Sequence, residues 1–138
     1  MLIRDCMSSR PISITPDETL ATAQAVMRAA KIRRLPVVDG DALIGILSEY
    51  DLRDWMDSLN RTTVGTAMTR DPVAVSPLDS LEHAVTLTRE REIGALAVVE
   101  HGRLVGIITA KDLWIAEPRP LPQWDHPYTT GLLAKLKR

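Results

Sequence analysis

Two stretches of the chain place a hydroxyl and a carboxylate three residues apart immediately after an apolar run. They are Gly45-Ile46-Leu47-Ser48-Glu49-Tyr50-Asp51 and Gly106-Ile107-Ile108-Thr109-Ala110-Lys111-Asp112. In one reading this is a helix start: the hydroxyl accepts from the third backbone N–H, and the carboxylate returns to the first. In the other, backbone donors and the positive end of a helix dipole favour phosphate oxygens at the same spot. A carboxylate projecting from the first turn can also accept both hydroxyls of a ribose. A cap alone tolerates Glu, Gln or nothing at that position, so Asp at both copies favours a ligand.

The cations around these stretches differ. Ile32-Arg33-Arg34-Leu35-Pro36 corresponds to Ile93-Gly94-Ala95-Leu96-Ala97, so two guanidinium groups in one copy have no counterparts in the other. Adjacent arginines on a loop form either a solvated surface pair or a bidentate phosphate grip. Lys111 is the comparable cation of the second stretch, with Tyr50 at its partner position.

Signatures of catalysis are missing. The seven glycines make neither a dinucleotide fingerprint nor a Walker loop, and there is no G-x-S-x-G. His83, His101 and His126 lie far apart without metal-ligand spacing, and Cys6 has no histidine in its segment. Enzymatic activity is therefore not expected. The 17 Lys+Arg against 18 Asp+Glu give a net charge of −1, which lacks the basic footprint of a dedicated nucleic-acid binder. No stretch approaches a membrane span and no signal-peptide pattern opens the chain, so a soluble, cytoplasmic protein is expected.

The elements that must position these groups are set by an internal repeat. Met7-Ser8-Ser9-Arg10-Pro11 reappears as Met68-Thr69-Arg70-Asp71-Pro72, and the same 61-residue offset carries Leu20 to Leu81, Leu35 to Leu96, Gly45 to Gly106 and Asp51 to Asp112 without a gap. Within each copy Ile12 and Ile14 (Val73 and Val75) alternate as a short strand would, and Leu20, Ala23, Val26, Met27 and Ala30 recur at helical spacing. The helix start is open between Thr15 and Thr19, and between Ser76 and Ser80. Leu35-Pro36-Val37-Val38 and Leu43-Ile44-Gly45-Ile46-Leu47 then form a hairpin about Gly40, and a second helix runs from Ser48 to about Met56.

The expected organisation is an α/β (α+β) fold of two β-α-β-β-α repeats, residues 1–59 and 60–116, followed by a proline-rich tail, 117–138. One repeat is marginal alone, so the copies are expected to pack as a pseudo-two-fold module with two equivalent clefts between them. The tail carries Pro118, Pro120, Pro122 and Pro127, with Trp124 and Tyr128 as apolar handles. Leu52, Trp55 and Met56, and likewise Leu113, Trp114 and Ile115, offer more apolar surface than one helix face hides. A homodimer through these helices is expected.

G-h-h-[ST]-x-x-D (h apolar) after an L-P-V-V strand, and its counterpart one repeat later, resembles the tandem cystathionine β-synthase (CBS) domain pair, the Bateman module, over about Leu2 to Ile115. The resemblance implies a non-catalytic sensor of AMP, ADP, ATP or S-adenosylmethionine, held as a regulatory ligand without an obligatory cofactor, that signals to a separate, unidentified protein. It implies ribose binding by Asp51 and Asp112 beside Ser48 and Thr109. The base would lie between Ile12 and Ile32 in one copy and between Val73 and Ile93 in the other. It further implies that phosphates of the ligand at Thr109 and Asp112 point toward Arg33 and Arg34, leaving Lys111 for the other ligand. A dimerisation module of the same fold without ligand is the alternative reading.

Overall fold

The computed structural model describes residues 1–116, and the tail's expected handles lie outside the described residues. In chain order the elements are a 3-10 turn Ile3–Asp5, β1 (Ser8–Ser9), α1 (Leu20–Ala30), β2 (Arg34–Asp39), β3 (Ala42–Ser48), a 3-10 helix Glu49–Ser58 and α2 (Val64–Ala67). The second repeat follows with β4 (Thr69–Arg70), β5 (Ala74–Val75), α3 (Leu81–Glu90), β6 (Ala95–Glu100), β7 (Arg103–Thr109) and α4 (Ala110–Ala116). The architecture is mixed α+β, as expected. The helix after Ser48 differs from a regular α-helix: it is ten residues of 3-10 helix, where runs beyond three or four are uncommon.

The chain forms two compact units, and these do not coincide with the sequence repeats. One comprises Pro11–Pro72 with His101–Leu104. The other comprises Met1–Arg10, Val73–Glu100 and, among the described residues, 105–116. The head of the first repeat thus packs with the body of the second, where β1 pairs antiparallel with β7 (Ser8 opposite Ile107, Ser9 opposite Gly106). The head of the second repeat does the same in the other unit, where Thr69 stands opposite Ile46 and Arg70 opposite Gly45.

Each unit has its own core. Leu20, Ala23, Met27, Leu35, Val37, Leu47, Leu52 and Val64 build one, with Trp55, Ile32 and Ile44 packed against it. Ile3, Leu81, Ala84, Leu96, Val98, Ile108 and Leu113 build the other, with Met7, Val73, Ile93 and Val105 around it. The helix starts left open by the sequence resolve to the later residue. Thr19 Oγ1 accepts from Thr22 N at 3.2 Å, and Ser80 Oγ accepts from His83 N at 3.1 Å. Leu52 and Leu113, in the first turn or so of the helices that begin at Glu49 and Ala110, are core residues here. The apolar surface left for a partner is smaller than the sequence count implied, and Tyr50 and Met56 remain exposed.

Candidate functional site

The hairpin of β2 and β3 sets up the first junction. Its register pairs Asp39 with Ala42 and Val38 with Leu43, then slips by one residue so that Val37 faces Gly45. This bulge carries through to the strand end and puts Arg34 directly opposite Ser48. Directly opposed residues project from the same face of a sheet with Cβ atoms about 5 Å apart. The half-buried Arg34 and the Ser48 hydroxyl therefore share one face. Arg33 is held at the same point through its backbone, since Glu49 N donates to Arg33 O at 2.8 Å.

Ser48 then closes a full capping box. Asp51 N donates to Ser48 Oγ at 3.2 Å, and Ser48 N donates to Asp51 Oδ2 at 2.8 Å. The second junction repeats the arrangement: Asp112 N donates to Thr109 Oγ1 at 3.2 Å and Thr109 N to Asp112 Oδ2 at 3.0 Å, while Ala110 N donates to Gly94 O at 3.0 Å. The structural reading of the motif is thus correct for both copies. It uses one oxygen of each carboxylate, and among the described residues Oδ1 of Asp51 and of Asp112 accepts no hydrogen bond. Each hydroxyl is an acceptor in the box and retains its own hydrogen to donate.

The remaining candidates divide by unit. Ile32 packs against the first core and Ile12 is 48% exposed, whereas Val73 and Ile93 both pack against the second. Lys111 is exposed in the first turn of α4, and its counterpart Tyr50 is exposed with the Arg53 guanidinium 4.7 Å from its ring centre. The Arg33 guanidinium lies 4.0 Å from the Glu49 carboxylate, and both side chains are largely exposed, so the pair contributes about 1 kcal/mol at most.

Sequence reasoning missed two features. One is the cross-strand placement of Arg34. The other is the purpose of the motif's glycine, at which a Cβ would come within 2.6 Å of Met68 Sδ (Gly45) or Met7 Sδ (Gly106). Among the described residues no group of three or more His, Cys, Asp or Glu is arranged to hold a metal ion. Burial, and next the Asp5 carboxylate, raise the Cys6 thiol above its ordinary value, opposite to what activates a nucleophile.

Comparison with known proteins finds the CBS domain family matched twice, over residues 3–58 and 64–113. Inosine-5'-monophosphate dehydrogenase of Mycobacterium tuberculosis is 38% identical over 122 residues, 86% of this chain, and the match spans only 23% of that enzyme's length. Among solved structures, CBSX2 in complex with AMP is 29% identical with a TM-score of 0.77, over 83% of this chain and 94% of that one. CBSX2 is a protein of Arabidopsis thaliana. The CBS domain pair of protein MJ0100, in complex with 5-methylthioadenosine and S-adenosyl-L-methionine, is 25% identical with a TM-score of 0.77, over 84% and 94%.

Proposed function

The chain belongs to the CBS domain family, and from that premise we propose that it is a non-catalytic regulatory module that binds an adenosyl ligand at its strand–helix junctions and passes the occupancy to a partner protein. One observation carries the reading: a capping box built twice with the same geometry, each leaving one carboxylate oxygen unused on a half-buried aspartate. With Oδ2 fixed by the backbone amide, Oδ1 is pre-oriented to accept from ribose hydroxyls. Charge-assisted bonds of this kind are about twice as strong as neutral ones.

The ligand class is supported by the relatives, one carrying AMP and the other 5-methylthioadenosine and S-adenosyl-L-methionine. Similarity to the dehydrogenase extends to less than a quarter of that enzyme, and its chemistry is not part of the proposal. Among the described residues no helix is long and apolar enough to cross a membrane.

Thermal unfolding with AMP, ADP, ATP, S-adenosylmethionine, NADH and cyclic dinucleotides tests the reading. A ligand that binds only the folded state at a hundred times its Kd adds about 2.7 kcal/mol of stability. At least one adenosyl compound must raise Tm. A flat response to every one of them would leave the ligand-free dimerisation module as the better description.

A further inference from the structure

Independently of any ligand, we infer that Met7 is a site of reversible oxidation by a hydroperoxide, and that its sulfoxide loosens β1 from β7. One oxygen atom passes to the thioether: the S–O bond forms as the O–O bond breaks, the sulfur gives up two electrons, and the peroxide leaves as water or an alcohol.

Three observations within single units carry it. First, Met7 and Met68 do the same work in the two units, each seating its sulfur against the glycine that opens the strand–helix stretch. A Cβ on Gly106 would lie 2.6 Å from Met7 Sδ, and one on Gly45 2.6 Å from Met68 Sδ. The sulfur fills the space that a side chain on the strand would take, and no oxygen atom fits between it and the glycine. Second, the two differ in access. Met68 is buried, as is Met27, whereas Met7 is half-buried at the margin of its core. Met1 and Met56 are largely exposed, so of the five methionines Met7 alone combines access to a small oxidant with a seat in the fold. Third, what Met7 fastens is short. Ile3 is tied down by its N–H to Asp79 O at 2.8 Å, and Met7 N donates to Ile3 O at 2.9 Å. Beyond Met7 the strand is two exposed residues, Ser8 opposite Ile107 and Ser9 opposite Gly106. A sulfoxide turns the flexible apolar side chain into a polar one. Its oxygen is added from the open side, and hydrating it draws the sulfur off Gly106; kept in place, it is a polar group at the core margin without a donor. The neighbouring Cys6 does not compete at neutral pH, since burial and next the Asp5 carboxylate raise its thiol and leave little of the thiolate that attacks a peroxide.

Hydrogen peroxide titration of the full chain at neutral pH, read by peptide mass spectrometry and urea unfolding, tests this. Met1 and Met56 should gain oxygen first and Met7 next, with Met27 and Met68 spared while the protein stays folded. As Met7 converts, the urea midpoint should fall by about 0.5 M or more, and methionine sulfoxide reductases should restore it. Met7→Leu, close in volume, should hold its midpoint under peroxide, while Cys6→Ser should lose stability as the parent does. Met7→Gln, which sets a polar group near the position of the sulfoxide, should show the lowered midpoint without peroxide and decides the matter even if Met7→Leu folds poorly. A parent midpoint that holds although Met7 carries oxygen, an equal loss in Met7→Leu, oxidation of Met68 ahead of Met7, or a Met7→Gln midpoint equal to the parent's overturns the inference.

Discussion

Replacing Gly45 by alanine tests why the motif begins with glycine. A Cβ there would stand 2.6 Å from Met68 Sδ and 2.9 Å from Thr69 O, closer than the roughly 3.3 Å at which carbon and carbonyl oxygen pass comfortably. The sulfur is the movable part, although Met68 is buried. Thr69 O is backbone in β4, paired opposite Ile46, so the strand itself must shift by about 0.4 Å. Overpacking of this size costs about 1–3 kcal/mol. Alanine returns about 0.4–1 kcal/mol by stiffening the unfolded chain, so the net loss is about 1–2 kcal/mol. With urea slopes of about 1–3 kcal/mol/M, the unfolding midpoint should fall by roughly 0.3–2 M. Gly106→Ala should behave alike, since its Cβ would meet Met7 Sδ at 2.6 Å and Ser8 O at 3.0 Å. Adding Met68→Ala to Gly45→Ala should relieve the sulfur clash and not the Thr69 one. The reasoning fails if Gly45→Ala is as stable as the parent or more so, or if adenosyl affinity falls in protein that remains folded.

His101 holds φ at +53° where the equivalent position of the first hairpin is Gly40, so His101→Gly should stabilise by about 0.5–1 kcal/mol, the left-handed cost less glycine's entropy, as read from urea midpoints. Burial and Asp5 raise the Cys6 thiol above its ordinary 9.0, so the folded state favours the protonated form; this contribution is complete below that pH and is lost as pH rises through the raised value. Cys6→Ser should accordingly lose less stability than the parent between pH 8 and pH 10 in paired urea titrations. Exposed Tyr50 and Met56 on the 3-10 helix are proposed to meet a second copy, so sedimentation at tens of micromolar should give a dimer, weakened by Met56→Glu. A parent that sediments as a monomer contradicts this.

Much of the fold was legible because the repeat supplied two independent readings of each element, and alternation or helical spacing common to both copies could not be accidental. Leu35, Val37 and Leu47, and their counterparts Leu96, Val98 and Ile108, were visible as core on that ground. The register was not. Counting outward from a two-residue turn puts Ser48 opposite Arg33, and only the one-residue slip between Val37 and Val38 moves it to Arg34. A single bulge exchanges the faces of everything beyond it, and no residue type in this hairpin announces one. Capping by Thr19 rather than Thr15, and by Ser80 rather than Ser76, was ambiguous because every candidate hydroxyl has the right chemistry. Where the helix begins depends on long-range bonds such as Leu20 N to Thr62 O at 2.9 Å. The packing of Met1–Arg10 with the second repeat was hidden for a related reason: β1 and β4 have equivalent sequences, and local pattern cannot tell which repeat each will join.

The most direct test of ligand sensing is equilibrium dialysis of labelled AMP, ATP and S-adenosylmethionine against the parent protein and the Asp51→Asn/Asp112→Asn double variant. The capping boxes survive that substitution in part, because the asparagine carbonyl can still accept from Ser48 N or Thr109 N, so the variant remains a folded control. Retention of at least one adenosyl ligand by the parent and its loss in the double variant is the predicted result. Equal retention by both proteins, or none by the parent, would contradict the assignment of these aspartates to an adenosyl site.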